Sequence, residues 1–270
     1  MSKRNSQTAK TAARERLRVE REREAKKAKI KRQLVVAGTI VGVLAIAGGI
    51  GYAVMQANKP SAWEAAADAK LVKPANSSGE NGTTVVIGKA DAKKTLELYE
   101  DPRCPICATF EQGVGETIEK DVADGKYKVQ FIGASFLDRN LTGEGSKNAL
   151  SSLGAALNVS PEAFLAYKAA LYSAEFHPEE SQDKFKDDAY LIKVANSVEE
   201  LKGNKKFQAA VENGTYDKWA LEMSDKFDDS DVNGTPTLKM DGEKLTGSDG
   251  QNAPMTAPEF TAAIEKALKA

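Results

Sequence analysis

Residues that ligate soft metals are scarce in this sequence, which has two cysteines and one histidine among 270 residues. A single chain with so few such ligands builds neither a zinc finger nor an iron–sulfur centre. The cysteine content also excludes a disulfide-stapled miniprotein, and the overall composition excludes a collagen-like or low-complexity chain. A glycine-rich phosphate loop and a nucleophile elbow are both missing. What is left is a chain long enough for one or two ordinary domains with a real core.

Charge is distributed unevenly, although the formal net charge is only −1. Residues 1–33 hold 13 Lys and Arg against four Glu, whereas the rest of the chain has more acidic than basic residues. The sequence is therefore a basic tail followed by an acidic body.

A run without any charged residue separates these two parts, from Leu34 to Met55. A helix of this length spans roughly 33 Å, enough to cross the hydrocarbon core of a membrane. A secretory signal peptide fits less well, because the run is longer than the usual apolar region and 33 residues precede it. A buried core helix of this purity is the other alternative. The sequence thus predicts one uncleaved transmembrane helix at 34–55.

Lysine and arginine on the two sides of this run predict its orientation. Several stand directly before it, whereas Lys59 alone lies within the first dozen residues after it. The positive-inside rule then places the N-terminus in the cytoplasm and residues 56–270 outside, in a compartment where thiols can oxidise. We expect a single-pass protein of the cell membrane with an extracytoplasmic body.

The basic tail, residues 1–33, is predicted to form a charged helix over Thr11 to Arg32. It has almost no apolar stripe, so we interpret it as a solvated helix that sets the topology and touches anionic lipid headgroups. A specific cytoplasmic partner is the alternative. Because no aromatic residue accompanies the positive charge, we expect no binding to nucleic acid.

The outer part divides into a linker at 56–82 and a folded domain at 83–270. Short strands are predicted at Thr83–Ile87, Thr95–Tyr99 and Tyr127–Ala134, with a helix before the third. Residues about 144–228 then have helical periodicity almost throughout. A hairpin with an Asp-Gly turn at 241–242 and a closing helix end the chain. The pattern contains a parallel crossover unit and predicts an α/β fold interrupted by a helical insertion.

Both cysteines lie in one Cys-Pro-Ile-Cys segment, Cys104 to Cys107, between a strand and a helix. Two intervening residues let the thiols close a small disulfide ring, and the helix N-terminus stabilises the thiolate of the first cysteine and lowers its pKa. Pro105 suits an early helical position, where a missing N–H costs little. We expect Cys104 to be nucleophilic and Cys107 to be the shielded resolving thiol. A structural disulfide, or half of a metal site with His177, are the alternatives.

A second motif is Gly234-Thr235-Pro236-Thr237, which leads into the strand of the hairpin. A proline here cannot donate to a central ladder, so it belongs at a sheet edge or a bulge. Alone it predicts only a turn, since few prolines follow a cis bond.

Together these elements resemble the thioredoxin superfamily, and within it the DsbA-like thiol–disulfide oxidoreductases of bacteria, in a membrane-anchored form. The similarity is carried by Ile87–Ala92, by Tyr99–Cys107 and by the distant Thr235-Pro236, and it covers roughly 83–269. The resemblance implies a thioredoxin-like fold with an inserted helical domain. It also implies a redox-active disulfide with no further cofactor and no metal.

Site roles follow from the same resemblance. Cys104 would attack, Cys107 would resolve, Pro236 would be cis beside the disulfide, and Thr235 would offer its backbone to an extended substrate segment. The implied partners are reduced protein substrates and a membrane redox protein that restores the disulfide. With no second cysteine pair or dimerisation domain in view, we expect a monomer.

Two positions depart from the family pattern. Ile106 stands where the best-known oxidases have a histidine that stabilises the thiolate. Leu98 stands where a buried carboxylate is common in the superfamily, and either Glu97 or Glu100 could take its place.

The leading hypothesis is an extracytoplasmic thiol oxidase that donates a disulfide to secreted or surface proteins. A disulfide reductase or isomerase of the same fold is one alternative, kept open by Ile106. A redox-inactive module that binds peptides in the groove is the other.

Overall fold

The structure is a computed structural model that describes residues 3–57 and 61–270, without many side chains of the first stretch. The chain divides into two units, Met1–Pro60 and Ser61–Ala270. In the first, residues Lys3–Ala57 form one helix, α1. Within the described part of the chain, no helix combines the length and apolar character needed to cross a membrane. Many side chains of the predicted span at 34–55 lie outside the described residues, and the span stays a prediction.

The second unit is built on a five-stranded sheet in the order β1-β3-β2-β4-β5. Strands β2 and β3 are parallel, and the other three neighbouring pairs are antiparallel. The strands are β1 (Val85–Ile87), β2 (Thr95–Glu100), β3 (Lys128–Gly133), β4 (Thr237–Met240) and β5 (Glu243–Leu245). This confirms the predicted thioredoxin-like α/β fold, including the crossover from β2 through a helix to β3.

Nine helices of this unit surround the sheet in the described residues. They are α2 (Ala62–Ala67), α3 (Pro105–Asp124), α4 (Phe136–Asn140), α5 (Gly145–Val159), α6 (Pro161–Tyr172), α7 (Asp188–Ala195), α8 (Lys205–Glu212), α9 (Asp217–Asp228) and α10 (Ala257–Lys269). Helices α5 to α9 form the predicted helical insertion. Most begin at an N-cap whose side chain accepts a backbone N–H, such as Ser160 of α6 and Thr256 of α10.

Aromatic side chains join the insertion to the sheet and the crossover helix to the closing helix. Phe131 of β3 packs edge-on against Phe164 of α6, with ring centroids 5.1 Å apart. Phe110 of α3 makes a similar contact with Phe260 of α10 at 6.4 Å, and both are fully buried. Truncating a buried Phe to Ala costs about 3–5 kcal/mol. The first pair therefore holds the insertion against the sheet, and the second holds α3, which begins at the cysteine motif, against the closing helix.

The folded unit begins earlier than the predicted domain start at 83. The linker predicted at 56–82 contains helix α2 in the structure; residues 58–60 lie outside the described part. The rest of this segment is tied to the helical insertion. The indole Nε1 of Trp219 donates to the Gly82 carbonyl at 2.7 Å, and the amide of Asn76 donates to the Leu157 carbonyl at 2.8 Å. Residues 61–82, which we call the strap, are therefore docked on the insertion by hydrogen bonds, although their Pro, Asn and Gly content is that of a free tether.

Candidate active site

Cys104 lies at the N-cap of α3, directly after β2 and a short loop. Its Sγ accepts the backbone N–H of Cys107 at 3.4 Å, which satisfies one of the unpaired donors at the helix end. Pro105 follows at the first helical position, as the motif predicts. Both cysteines are free thiols; Cys104 is 7% exposed and Cys107 is fully buried. Ile106 points outward and is 57% exposed.

The two thiols differ in acidity because their surroundings differ. Hydrogen bonds from the Cys107 side chain outweigh the effect of burial and, with the Cys107 N–H, lower the pKa of Cys104 to about 6. Burial raises the pKa of Cys107 well above its ordinary value, and the neighbouring Cys104 raises it further. At neutral pH the site therefore holds one thiolate, on Cys104, and one protonated thiol that donates to it.

The Thr235-Pro236 motif lies across from this sulfur. The Thr235–Pro236 peptide bond is cis, and the Thr235 carbonyl is 3.6 Å from the Cys104 Sγ. The chain then enters β4, whose Leu238 pairs with Leu98 of β2. Long-range strand pairing thus brings together two motifs that are more than 120 residues apart in the sequence.

A buried charge cluster lies behind the thiols. Lys168 of α6 reaches the carboxylate of Glu100 at 3.0 Å and also pairs with Glu111 of α3. All three side chains are buried. Burial raises the pKa of Glu100 to about 7, in spite of the opposing charge of Lys168. Burial by itself lowers the pKa of Lys168, but the two carboxylates outweigh it and the net change is upward. The cluster holds an ammonium and a carboxyl that can take up a proton near neutral pH.

Of the two candidate carboxylates, Glu97 and Glu100, it is Glu100 that is buried near the motif. Its negative charge helps to raise the pKa of Cys107. It shares a strand face with Leu96 and Leu98, all buried, whereas Glu97 points to the other face and accepts a hydrogen bond from Tyr99. The strand's two-residue period could have selected Glu100 over Glu97. Lys168 carries no such signal, because a lysine among alanines on a helix is ordinarily a solvent-facing residue.

The loop before Cys104 is held by a second buried network. Asp101 accepts hydrogen bonds from Ser146 Oγ at 2.6 Å and from the Leu137 N–H at 3.1 Å. Burial raises the pKa of Asp101 to about 7. Arg103, 2% exposed, donates to Asp138 at 2.9 Å. Because Asp138 also accepts N–H groups from the start of α5, the loop is tied to the insertion.

His177, named above as a possible partner of the cysteines in a metal site, is half-buried against the active-site loop. Its Nε2 lies 3.1 Å from the Pro102 carbonyl, and its ring stacks on Tyr172 at 5.9 Å. Tyr172 in turn packs in one apolar cluster with Cys104 and Cys107. Burial lowers the pKa of His177. No local feature of the sequence marks this contact, since it depends on how the loop after α6 folds back. Among the described residues, no three His, Cys, Asp or Glu side chains are grouped to hold a metal ion.

Comparison with known proteins gives one family and several similar structures. A family model described as Thioredoxin matches residues 80–266. The structure is similar to that of reduced DsbG from Mycobacterium tuberculosis, with a TM-score of 0.58 and 24% identity over 70% of this chain and 89% of that one. It also resembles oxidised BdbD of Bacillus subtilis, with a TM-score of 0.57 and 22% identity over 74% of this chain and 100% of that one. A third similar structure is oxidised DsbA of M. tuberculosis, with a TM-score of 0.56 and 24% identity over 69% of this chain and 93% of that one.

A curated relative is the serine/threonine-protein kinase PknE of M. tuberculosis, 24% identical over 155 residues. The match covers 56% of this chain and only 27% of the kinase. The chain therefore corresponds to about a quarter of that protein.

Proposed function

This chain belongs to the thioredoxin family, and from that premise we propose that it is a DsbA-type thiol–disulfide oxidoreductase that donates disulfides to reduced proteins. One observation carries the proposal. The Cys104 Sγ lies at the N-terminus of α3, accepts the Cys107 N–H at 3.4 Å and lies 3.6 Å from the Thr235 carbonyl. A low-pKa thiol with a resolving partner is the arrangement that thiol–disulfide exchange requires.

Exchange starts from the Cys104–Cys107 disulfide. A substrate thiolate attacks the Sγ of Cys104; a new S–S bond forms, and the electrons of the old bond pass to Cys107, which takes a proton. A second substrate thiolate then attacks the substrate sulfur of this mixed disulfide, and Cys104 leaves as a thiolate. The substrate loses two electrons and the enzyme gains them. Because the pKa of Cys104 is about 6, its thiolate is a good leaving group at neutral pH, which favours this direction.

Glu100 is suited to give and take the proton that Cys107 gains and loses in this cycle. It is buried beside Lys168, its pKa lies near neutrality, and its charge is felt by Cys107. Extended substrate segments would bind along Thr235 and the cis Pro236, which provide a backbone edge. A membrane redox protein would restore the disulfide, and no cofactor beyond the cysteine pair is needed.

The proposal includes the location. Residues 34–55 would cross the membrane once, residues 1–33 would lie in the cytoplasm against anionic lipid, and the thioredoxin-like domain would act outside as a monomer. The run without charge and the preceding Lys and Arg support this. A membrane-impermeant maleimide should label Cys104 of the reduced protein in intact cells. Labelling that appears only after lysis would contradict the location.

The test of activity is transfer of a disulfide to a reduced, unfolded ribonuclease by the oxidised full-length protein. Wild type should restore ribonuclease activity, and Cys104→Ser should abolish transfer. Cys107→Ser is the matched variant: given a substrate disulfide, its Cys104 should form a mixed disulfide that persists, detectable by mass. Undiminished transfer by Cys104→Ser would refute the proposal.

The exposed Ile106 favours a second candidate, a reductase or isomerase, because it supplies no imidazole to stabilise the thiolate. Equilibration with glutathione mixtures decides between the two. A reduction potential of about −120 to −180 mV belongs to an oxidant, whereas about −250 mV or lower belongs to a reductant.

A further inference from the structure

A groove runs from the redox motifs along the segment before α10. Its volume is about 470 Å³. It starts at Ile106, Thr235 and Pro236 and continues along residues 247–259. Because the Thr235 carbonyl is 3.6 Å from the Cys104 Sγ, a segment bound to that sulfur enters the groove directly.

One wall of the groove is apolar. Ile106, Pro236 and Met255 line it. The Met255 carbonyl approaches α3 so closely that a Cβ on Gly113 would lie 2.7 Å from it. That close approach holds this wall against the helix that carries the cysteines. An apolar side chain next to a substrate cysteine therefore finds a preformed surface.

The remaining part carries two negative charges. Glu259 accepts hydrogen bonds from Ser248 Oγ at 2.7 Å and from Thr256 Oγ1 at 3.2 Å. Asp249 accepts the N–H groups of Gln251 and Asn252, both at 2.9 Å. These donors lower the pKa of both carboxyl groups. Asp249 also accepts the side-chain amide of Asn252 at 2.7 Å, and Lys244 helps to lower its pKa. Within residues 61–270 neither carboxylate has a cation at ion-pair distance, so both keep a negative charge on the wall of the groove.

We propose that this groove selects reduced protein segments in which an arginine or lysine flanks the reacting cysteine, with Asp249 and Glu259 as the specificity-determining residues. The inference rests on the proposed function. The basic side chain lays its aliphatic stem along Met255 and places its charge between the two carboxylates. Acidic flanks are disfavoured by the same charges.

The test uses oxidised full-length protein and peptides with one cysteine. Pairs of peptides differ only in having Arg or Glu at each successive position on either side of the cysteine. The peptide is in excess, and reduction of the Cys104–Cys107 disulfide is followed by acid quenching and mass spectrometry. Each rate is divided by the rate of the same peptide with the neutral 2-hydroxyethyl disulfide, which removes the effect of the flanking charge on the peptide thiol.

The corrected rate should favour Arg by about 3–10-fold at one or two positions in 10 mM salt. The preference should largely vanish in 500 mM salt, because screening shortens the range of the charges. The double variant Asp249→Asn, Glu259→Gln should lose it at low salt. The matched double variant Glu199→Gln, Glu200→Gln makes the same change of net charge outside the groove and should keep it.

Two failures are distinguishable. If no peptide reduces the Cys104–Cys107 disulfide, the proposed function itself fails. If Arg and Glu peptides react at equal corrected rates, or if wild-type preference does not respond to salt, the groove proposal is overturned while the oxidoreductase stands. The salt response of the wild type needs no variant to fold.

Discussion

Replacing Cys107 with alanine removes the thiol that contributes most to the acidity of Cys104. A hydrogen bond to a charged acceptor is worth about 1.5–3 kcal/mol, and 1.36 kcal/mol corresponds to a pKa change of one. The pKa of Cys104, about 6 in the wild type, should therefore rise to about 7–8 in the variant. At pH 7 the thiolate fraction should fall from about 90% to between about 10% and 50%.

The assay is the rate at which iodoacetamide alkylates Cys104 in the reduced protein between pH 4 and pH 10, with the adduct located by mass. Cys107 should not react in the wild type, because it is buried and protonated. Cys107→Ser is the control; its hydroxyl keeps a donor, so the pKa should stay closer to that of the wild type. A wild-type value near the ordinary 8.5, or an alanine variant that titrates with the wild type, would refute this account of the site.

Three further predictions follow from the geometry. Lys168→Met leaves the Glu100 and Glu111 carboxyl groups buried without their cation, so the free energy of unfolding in urea should fall by about 3–5 kcal/mol. The double variant Lys168→Met, Glu100→Gln should recover part of the lost stability. A double variant no more stable than Lys168→Met would argue against the pairing. The pKa of Cys104 is lower in the folded protein than in the unfolded chain, so this thiol stabilises the reduced form above pH 6 and stops doing so as the pH falls through 6. The free energy of unfolding in urea of the reduced form minus that of the oxidised form should therefore increase by about 2 kcal/mol between about pH 6 and pH 8. Glu100 and Asp101 titrate in both forms and cancel in this difference, and a difference that does not change with pH would contradict the lowered pKa. Trp219→Phe removes the hydrogen bond to the Gly82 carbonyl, so the free energy of unfolding should fall by about 1–2 kcal/mol and proteolysis near Gly82 should become faster. Unchanged proteolysis would mean that the strap docks by other contacts.

Local patterns were sufficient for the sheet and for the two motifs. The alternation at β2 and β3 marks half-buried strands, and a strand followed by Cys-x-x-Cys at a helix start contains its own chemical reason. The Thr235–Pro236 motif gained meaning only from its pairing with the cysteines. These are short-range signals, and each was legible without knowing what lies across the fold.

Long-range contacts explain what the sequence did not show. Lys168 looks like any exposed helical lysine, and only the packing of α6 against α3 turns it toward Glu100 and Glu111. His177 reaches the Pro102 carbonyl because its loop folds back. The segment 61–82 has the composition of a tether, yet its Asn76 side chain donates to the Leu157 carbonyl of α5 and its Gly82 carbonyl accepts from Trp219 of α9. Partners separated by more than 50 residues leave no periodic trace in either segment.

The position of Cys104 at the start of α3 has one more consequence. Helix caps are ordinarily Ser, Thr, Asp or Asn, whose oxygen does not change charge in the pH range of life. Here the cap is the atom that gains and loses electrons, so each catalytic turn alters the anion that faces the Cys107 N–H. The chemical shift and exchange rate of the Cys107 amide proton should therefore report the redox state of the site without any label on the sulfur.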